Sequence, residues 1–205
     1  MGWTKNFGRP EGMLGKIILN SMNSGHTPIS KWGLRHYDWK PNTDALDIGC
    51  GGGMNVKRLL KLCPQGRIAG IDISDESVKK SRQINQKYLG KRCSIKAGSA
   101  DAIPYGNGKF DVVTAFETIY FWPDIKKSLN EVQRVLKPGG TFMAICEMSD
   151  PGCVWNRIVE NISIYRPEEL ERFFVEGGFE NIKVSRTKKV WVCVTGKKAD
   201  TPTAL

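Results

Sequence analysis

The run Ala45-Leu46-Asp47-Ile48-Gly49-Cys50-Gly51-Gly52-Gly53 decides how the rest of this chain is read. A short apolar stretch with β-branched character ends in four glycines within five residues, and residues 54–62 then carry apolar side chains at helical spacing. The pattern predicts a strand, a tight turn and the start of a helix. Glycine accepts positive φ and lets a bound molecule approach the backbone with no Cβ in the way. The first turn of the helix presents unpaired N–H groups and a partial positive charge. A plain strand-to-helix turn needs no such concentration of glycine, so the stretch points to a ligand.

Two phosphate-binding patterns fail here. G-x-G-x-x-G counted from Gly49 requires a glycine at 54, where Met54 stands. Nor do Val56, Lys57 and Arg58 supply the Lys-Ser/Thr end of a G-x-x-x-x-G-K-[ST] loop. Asp47, just before the turn, would repel a diphosphate and attract a cation, directly or through water. The site suits a nucleoside bearing both signs of charge. Read as D-x-G-x-G-x-G, residues Asp47, Gly49, Gly51 and Gly53 resemble the first motif of class I S-adenosylmethionine-dependent methyltransferases.

Working outward, residues 67–73 predict a second buried strand carrying Asp72, 23 positions beyond Gly49. An acidic residue at about that distance is placed to accept from both ribose hydroxyls. Ser74 is a helix cap, followed by Asp75 and Glu76 in the first turn. After a short third strand, Gly98-Ser99-Ala100-Asp101 is similar to the family's adenine loop. Residues 110–116 predict a fourth strand, at whose carboxyl end stand Phe116, Glu117, Tyr120, Phe121 and Trp122. Ligands of parallel α/β sheets sit beyond those ends. A helix over 124–136 is stopped by Lys137-Pro138-Gly139-Gly140, and a strand over 141–146 leads to Glu147. The R-V-L-K-P-G-G run before that strand is a further mark of the resemblance. A helix after Pro167 and a closing hairpin, 181–187 with 190–196, complete the domain.

Upstream, residues 9–22 predict an amphipathic helix, and a segment from His26 through Trp32-Gly33-Leu34 to His36, Tyr37 and Trp39 precedes the first strand. The H-x-x-x-x-x-W-G-L pattern resembles a subset of small-molecule methyltransferases in which it closes over the site. These aromatics read either as a lid or as a cover on the sheet edge. The division is therefore 1–42 as helix and lid, 43–196 as the cofactor-binding domain, and 197–205 as a frayed tail.

The resemblance implies a doubly wound, mostly parallel seven-stranded α/β sheet of order 3-2-1-4-5-7-6, Rossmann-like, with helices on both faces. It implies S-adenosylmethionine as cofactor, leaving as S-adenosylhomocysteine. The expected cofactor contacts are Asp47, Gly49, Cys50 and Gly51 at the turn, and Asp72 with Ile73 at the second strand. Ser99, Ala100 and Asp101 are expected at the adenine, and Phe116 with Glu117 after the fourth strand. The sulfonium arrives with its leaving group already activated, so the protein mostly aligns two molecules and excludes water. That fits a sequence with no Ser-His-Asp triad, no Cys-His pair and no metal-spaced cluster. Glu117, Tyr120, His26 and His36 are the candidate catalytic groups. Trp32, Tyr37, Phe121, Trp122 and Glu147 are the candidate acceptor contacts.

Bulk properties agree. At 205 residues the chain suits one domain, and no apolar run approaches the roughly 20 residues that span a bilayer. Residues 1–9 lack the apolar core of a secretion signal, and the six cysteines form no C-x-x-C pair, so a cytoplasmic protein is expected, as monomer or homodimer. The net charge of +10 raises the question of nucleic acid, but the basic residues are scattered along outer helix faces. No Asn/Asp-Pro-Pro-aromatic motif follows the fourth strand, and Cys63-Pro64 is the reverse of a Pro-Cys nucleophile. A small-molecule acceptor is the leading reading. A nucleic-acid-directed enzyme and a non-catalytic cofactor-binding module are the alternatives.

Overall fold

A computed structural model of the chain describes residues 27–147, 150–152, 162–187 and 191–200. The N-terminal helix expected over 9–22 and His26 lie outside these residues.

The described elements are α1 (Thr27–Gly33), β1 (Ala45–Ile48), α2 (Met54–Leu62), β2 (Ile68–Asp72), α3 (Asp75–Ile84), β3 (Cys93–Ala97), β4 (Phe110–Phe116), α4 (Ile125–Val135), β5 (Leu136–Cys146), α5 (Pro167–Glu176), β6 (Glu180–Arg186) and β7 (Val192–Lys197). They form one seven-stranded sheet of order β3-β2-β1-β4-β5-β7-β6. β1 to β5 run parallel, while β7 is antiparallel to both β5 and β6. The order is the one that the resemblance implied.

Strands covered on both faces read as continuous apolar runs. β1 and β2 are buried at every position, and β4 at all but Asp111. Leu46, Val113 and Phe142 face α4 and α5 on one side, where Leu129, Val132 and Phe174 complete a core. Val112, Met143 and Ile145 face the other way, under Val56 and Leu59 of α2, Val78 of α3 and Ile29 of α1. Helix starts are capped as the side chains dictate. Ser74 accepts from the Ser77 N–H at 3.3 Å and Asp124 from the Lys127 N–H at 2.9 Å.

Two expectations need correction. β5 begins at Leu136 rather than at 141, because the Lys137–Gly140 segment is held in the sheet. The Lys137 ammonium pairs with Asp111 at 2.9 Å, while Lys198 bonds the Gly139 N–H and the Gly140 carbonyl through its backbone. The register slips here, from Phe110↔Leu136 to Val112↔Thr141. For the same reason Lys197 and Lys198 are not frayed. The Lys198 ammonium donates to the carbonyls of Gln133 and Leu136, capping the end of α4.

α1 lies across one face near the carboxyl ends of β4 and β5. Gly33 makes this possible, since a Cβ there would meet Ile145 at 2.8 Å and Phe116 at 3.1 Å. At the other end, the Arg58 guanidinium of α2 donates to the Thr27 hydroxyl at 2.8 Å. Gly33→Ala is expected to cost about 1–3 kcal/mol by overpacking. A thermal melt equal to wild type would show that α1 is not seated this closely.

Candidate functional site

The glycine turn at the end of β1 has the backbone its composition predicts. Gly49 sits at φ +68, and a Cβ there would lie 2.3 Å from the Thr118 hydroxyl, so the loop after β4 rests directly on the turn. β1 and β4 are neighbours whose connections leave in opposite directions, which makes this the point of strand-order reversal where ligands sit. Asn85, at the end of α3, braces the turn from behind by donating to the Gly53 carbonyl at 3.0 Å and the Ser81 carbonyl at 2.9 Å. Cys50 is buried beneath it, its thiol 3.8 Å from the Ser81 hydroxyl, and burial pushes that thiol well up.

Asp72 and Asp47 frame the turn. Asp72 accepts from the Gly51 N–H at 2.8 Å and the Ser74 N–H at 2.9 Å, which ties the turn to the end of β2. Burial raises its pKa, opposed by those N–H donors and by the Ser77 hydroxyl. Each carboxylate oxygen has a second lone pair available to a ligand. Asp47 is fully buried and accepts from the Thr114 hydroxyl at 2.8 Å, yet its second oxygen has no hydrogen-bond partner. Burial lifts this carboxyl to about 7, with the Thr114 bond opposing and the nearby Asp72 adding to the rise. A buried carboxylate oxygen without a donor is costly unless something supplies one. An ammonium group is one donor of the right charge.

Beyond Asp72, Ile73 leaves a large apolar side chain 44% exposed, a flat surface for a ring. After β3, Ala100 is buried and the Ser99 hydroxyl donates to the Asp101 carboxylate. That bond, and then the Lys127 ammonium 3.4 Å away, holds Asp101 below the usual carboxylate range. An apolar surface flanked by acceptors for ribose and for an exocyclic amine, beside an anionic corner, matches adenosyl-methionine group by group. The residues present fit that cofactor.

The carboxyl ends of β4 and β5 hold the second half of the site. Glu117 is buried with φ 58, a conformation that side chains other than glycine seldom adopt. It accepts from the Glu147 backbone N–H and from the Tyr120 hydroxyl, and burial raises it to about 8. The Tyr120 oxygen accepts from the same Glu147 N–H at 3.2 Å. Glu147 accepts from the Trp191 indole at 3.0 Å, and the Trp191 ring lies 5.9 Å from that of Trp32. The His36 ring stands edge-on to Trp32 at 4.5 Å and is tied to the carbonyls of Trp32 and Gly33. Phe116, at the end of β4, packs under α1.

Two of the aromatic candidates are not brought here. Tyr37 packs against Trp39 at 4.8 Å and hydrogen-bonds the Thr43 side chain, at the amino ends of the strands. Residues 34–44 run from the end of α1 down the sheet to the start of β1, and Tyr37 lies on that descent. Trp122 is buried in the core and stacks on Phe142 at 5.9 Å. Phe121 is half-buried beside Tyr120, at its edge. The sequence alone assigns no role to Trp191, Thr114, Thr118 or Asn85. Trp191 meets Glu147 across 44 positions of chain, and nothing local announces it.

Comparison with known proteins agrees with this geometry. A family model described as a methyltransferase domain matches residues 39–185. The chain is 30% identical to the demethylmenaquinone methyltransferase of Bacillus cereus over 137 residues, which is 65% of this chain and 57% of that one. It is 33% identical to the sterol 4-C-methyltransferase strm-1 of Caenorhabditis elegans over 132 residues, 63% of this chain and 37% of that one. The matched stretch thus spans between about a third and three fifths of these relatives. A SAM-dependent methyltransferase of Aquifex aeolicus superposes with a TM-score of 0.74 over 88% of this chain and 97% of that one, at 19% identity. With the family model over most of the chain and the strand order to match, the chain belongs to the class I S-adenosylmethionine-dependent methyltransferases.

Proposed function

We propose that this chain transfers a methyl group from S-adenosylmethionine to a small molecule held beyond the carboxyl ends of β4 and β5. The observation that carries the reading is the pair of dissimilar acidic sites around one glycine turn. Asp47 keeps a buried oxygen free for an ammonium, and Asp72 keeps lone pairs for hydroxyls while shaping the turn. In this assignment Ile73, Ser99, Ala100 and Asp101 take the adenine. Gly49, Cys50 and Gly51 line the middle of the cofactor, and Phe116 and Glu117 face its reactive end.

When bound, the cofactor supplies a methyl group on a sulfonium, ready for in-line displacement. The protein's part is alignment and exclusion of water. α1 supports the lid reading, because it buries Ile29 and Gly33 on the sheet and leaves Trp32 half-exposed against Trp191, whose indole donates to Glu147. Glu117 is the proton acceptor where the acceptor atom carries a proton, with Tyr120 holding its carboxylate in place. A base is most effective with a pKa near the working pH. Turnover is therefore expected to rise with pH through about 8 and then level, and Glu117→Gln to flatten that rise. An unchanged profile in the variant would remove Glu117 from the proton path.

The small size of the acceptor is supported by relatives named for a quinone and a sterol. We also read the protein as cytoplasmic. Among the described residues no helix is long and apolar enough to cross a membrane, and the five described cysteines are free and buried. Incubation with methyl-labelled cofactor and a metabolite extract tests the activity. Label in a low-molecular-weight product supports it. Label confined to added tRNA would move the acceptor to nucleic acid, and no transfer at all would leave a cofactor-binding module.

A further inference from the structure

Glu147 stands one residue beyond the Cys146↔Val192 pair, and Trp191, the residue just before β7, stands opposite it. The indole N–H of Trp191 donates to one carboxylate oxygen at 3.0 Å, while the Glu147 backbone N–H is occupied by Glu117 and Tyr120. The rings of Trp191 and Trp32 stand 5.9 Å apart at 49°, and the His36 ring meets Trp32 edge-on at 4.5 Å. Among the described residues, no lysine or arginine is within ion-pair distance of Glu147 or Glu117, although the chain carries 31 of them. Among the described residues, the titratable groups that meet here are Glu147, Glu117, Tyr120, Cys146 and His36. None is a fixed cation. Among the described residues, the charge that acts on Glu117 is the carboxylate of Glu147.

A half-buried carboxylate bonded to the Trp191 indole, with Trp32 packed on that ring and, among the described residues, no cation of its own, is complementary to a ligand cation. The carboxylate supplies the opposite charge, and the ring faces attract a positive centre through their quadrupoles. A neutral acceptor would leave the Glu147 charge uncompensated, and an anionic one would be repelled by it. We propose that the methyl acceptor is a small organic cation, a molecule bearing a protonated amine, whose charged nitrogen docks against Glu147 beside the packed Trp32–Trp191 pair. This rests on the methyltransferase reading and names the substrate class of that same site. The plainer account, in which Trp191 and Glu147 are only a cross-strand packing pair, makes the pocket indifferent to ligand charge.

The test uses the full chain and begins with a titration of S-adenosylhomocysteine. The complex is then titrated with a panel of arylalkyl amines and with the alcohols and carboxylates of the same shape. The proposal expects amines to bind at least about tenfold more tightly than their neutral isosteres, and carboxylates not to bind. Glu147→Gln is expected to remove that preference, and Trp32→Leu to weaken amine binding by about tenfold. Both variants are expected to keep S-adenosylhomocysteine affinity within about twofold, well under the tenfold of one lost charged contact. Trp191→Phe keeps an aromatic face but loses the N–H and one ring of the indole; it leaves the Glu147 carboxylate in place, so it guards against a misfolded Glu147 variant and is expected to retain the amine preference. Binding that ignores charge, binding of no amine at millimolar concentration, or an amine preference that survives Glu147→Gln overturns the proposal while the cofactor reading stands. Failure of S-adenosylhomocysteine to bind overturns the cofactor reading and this proposal with it.

Discussion

Asp72→Ala is expected to weaken S-adenosylhomocysteine binding by about 1.5–3 kcal/mol, one to two powers of ten in the dissociation constant. The carboxylate is 7% exposed and does two things at once. Inward, it accepts from the N–H groups of Gly51 and Ser74 and so fixes the glycine turn against the start of α3. Outward, its remaining lone pairs are the acceptors proposed for the ribose. Alanine removes both, and Asp72→Asn removes the charge and half of the acceptor capacity. The asparagine variant is therefore expected to fall between wild type and alanine. Calorimetry on variants that melt within a few degrees of wild type measures this. Unchanged affinity in folded Asp72→Ala would take the ribose role away from Asp72.

Asp47→Asn is expected to pull stability and binding in opposite directions. Burial raises the Asp47 carboxyl from its ordinary 3.8 to about 7, so the folded chain holds this proton more tightly than the unfolded chain does. A group raised on folding adds stability as pH falls through its folded pKa and costs stability as pH rises through it. Without cofactor, wild type is thus expected to lose stability as pH rises from about 4 to about 7, the last part of that loss falling between pH 6 and pH 8. The asparagine variant lacks that part of the loss, and at pH 8 is expected to be more stable by about 1–3 kcal/mol. Glu117, raised to about 8, adds to the wild-type trend in both proteins, so the difference between them isolates Asp47. With cofactor the order reverses. The ionised carboxylate is the proposed partner of the ligand ammonium, so wild-type affinity rises with pH through about 7 and the affinity of the variant does not. Melts at pH 6 and pH 8, with and without S-adenosylhomocysteine, contain all four comparisons. A variant that is less stable at pH 8 and equally good at binding would contradict the role given to Asp47.

What was legible in the sequence is what is local. The bend at Gly49, the acid at the end of β2 and the loop around Asp101 each declare themselves within a few residues, because backbone freedom and strand ends are local properties. The strand order came from the family resemblance, since alternating spacing fixes only that strands and helices take turns. The misplaced aromatics failed for a common reason. Near the site in sequence, Tyr37 is carried off by the descent of residues 34–44, and the turn Ile119–Phe121 rotates Trp122 onto Phe142. Composition cannot say which way a ring points after a turn. Lys137–Gly140 has the signature of a helix stop and a loop, but an ion pair to Asp111 and two backbone bonds to Lys198 draw it into β5. Trp191 and Glu147, far apart in the chain and adjacent in space, are paired by the register Cys146↔Val192, which strand order and direction alone do not fix.

The central claim is that Asp47, the glycine turn, Asp72 and Asp101 form one site for the adenosyl and amino-acid ends of a single molecule. A calorimetric titration of the wild-type chain with S-adenosylhomocysteine tests it most directly. Saturation at one ligand per chain well below a millimolar is the predicted result. No heat and no displacement of melting at millimolar ligand, in a chain that is otherwise folded, would contradict it.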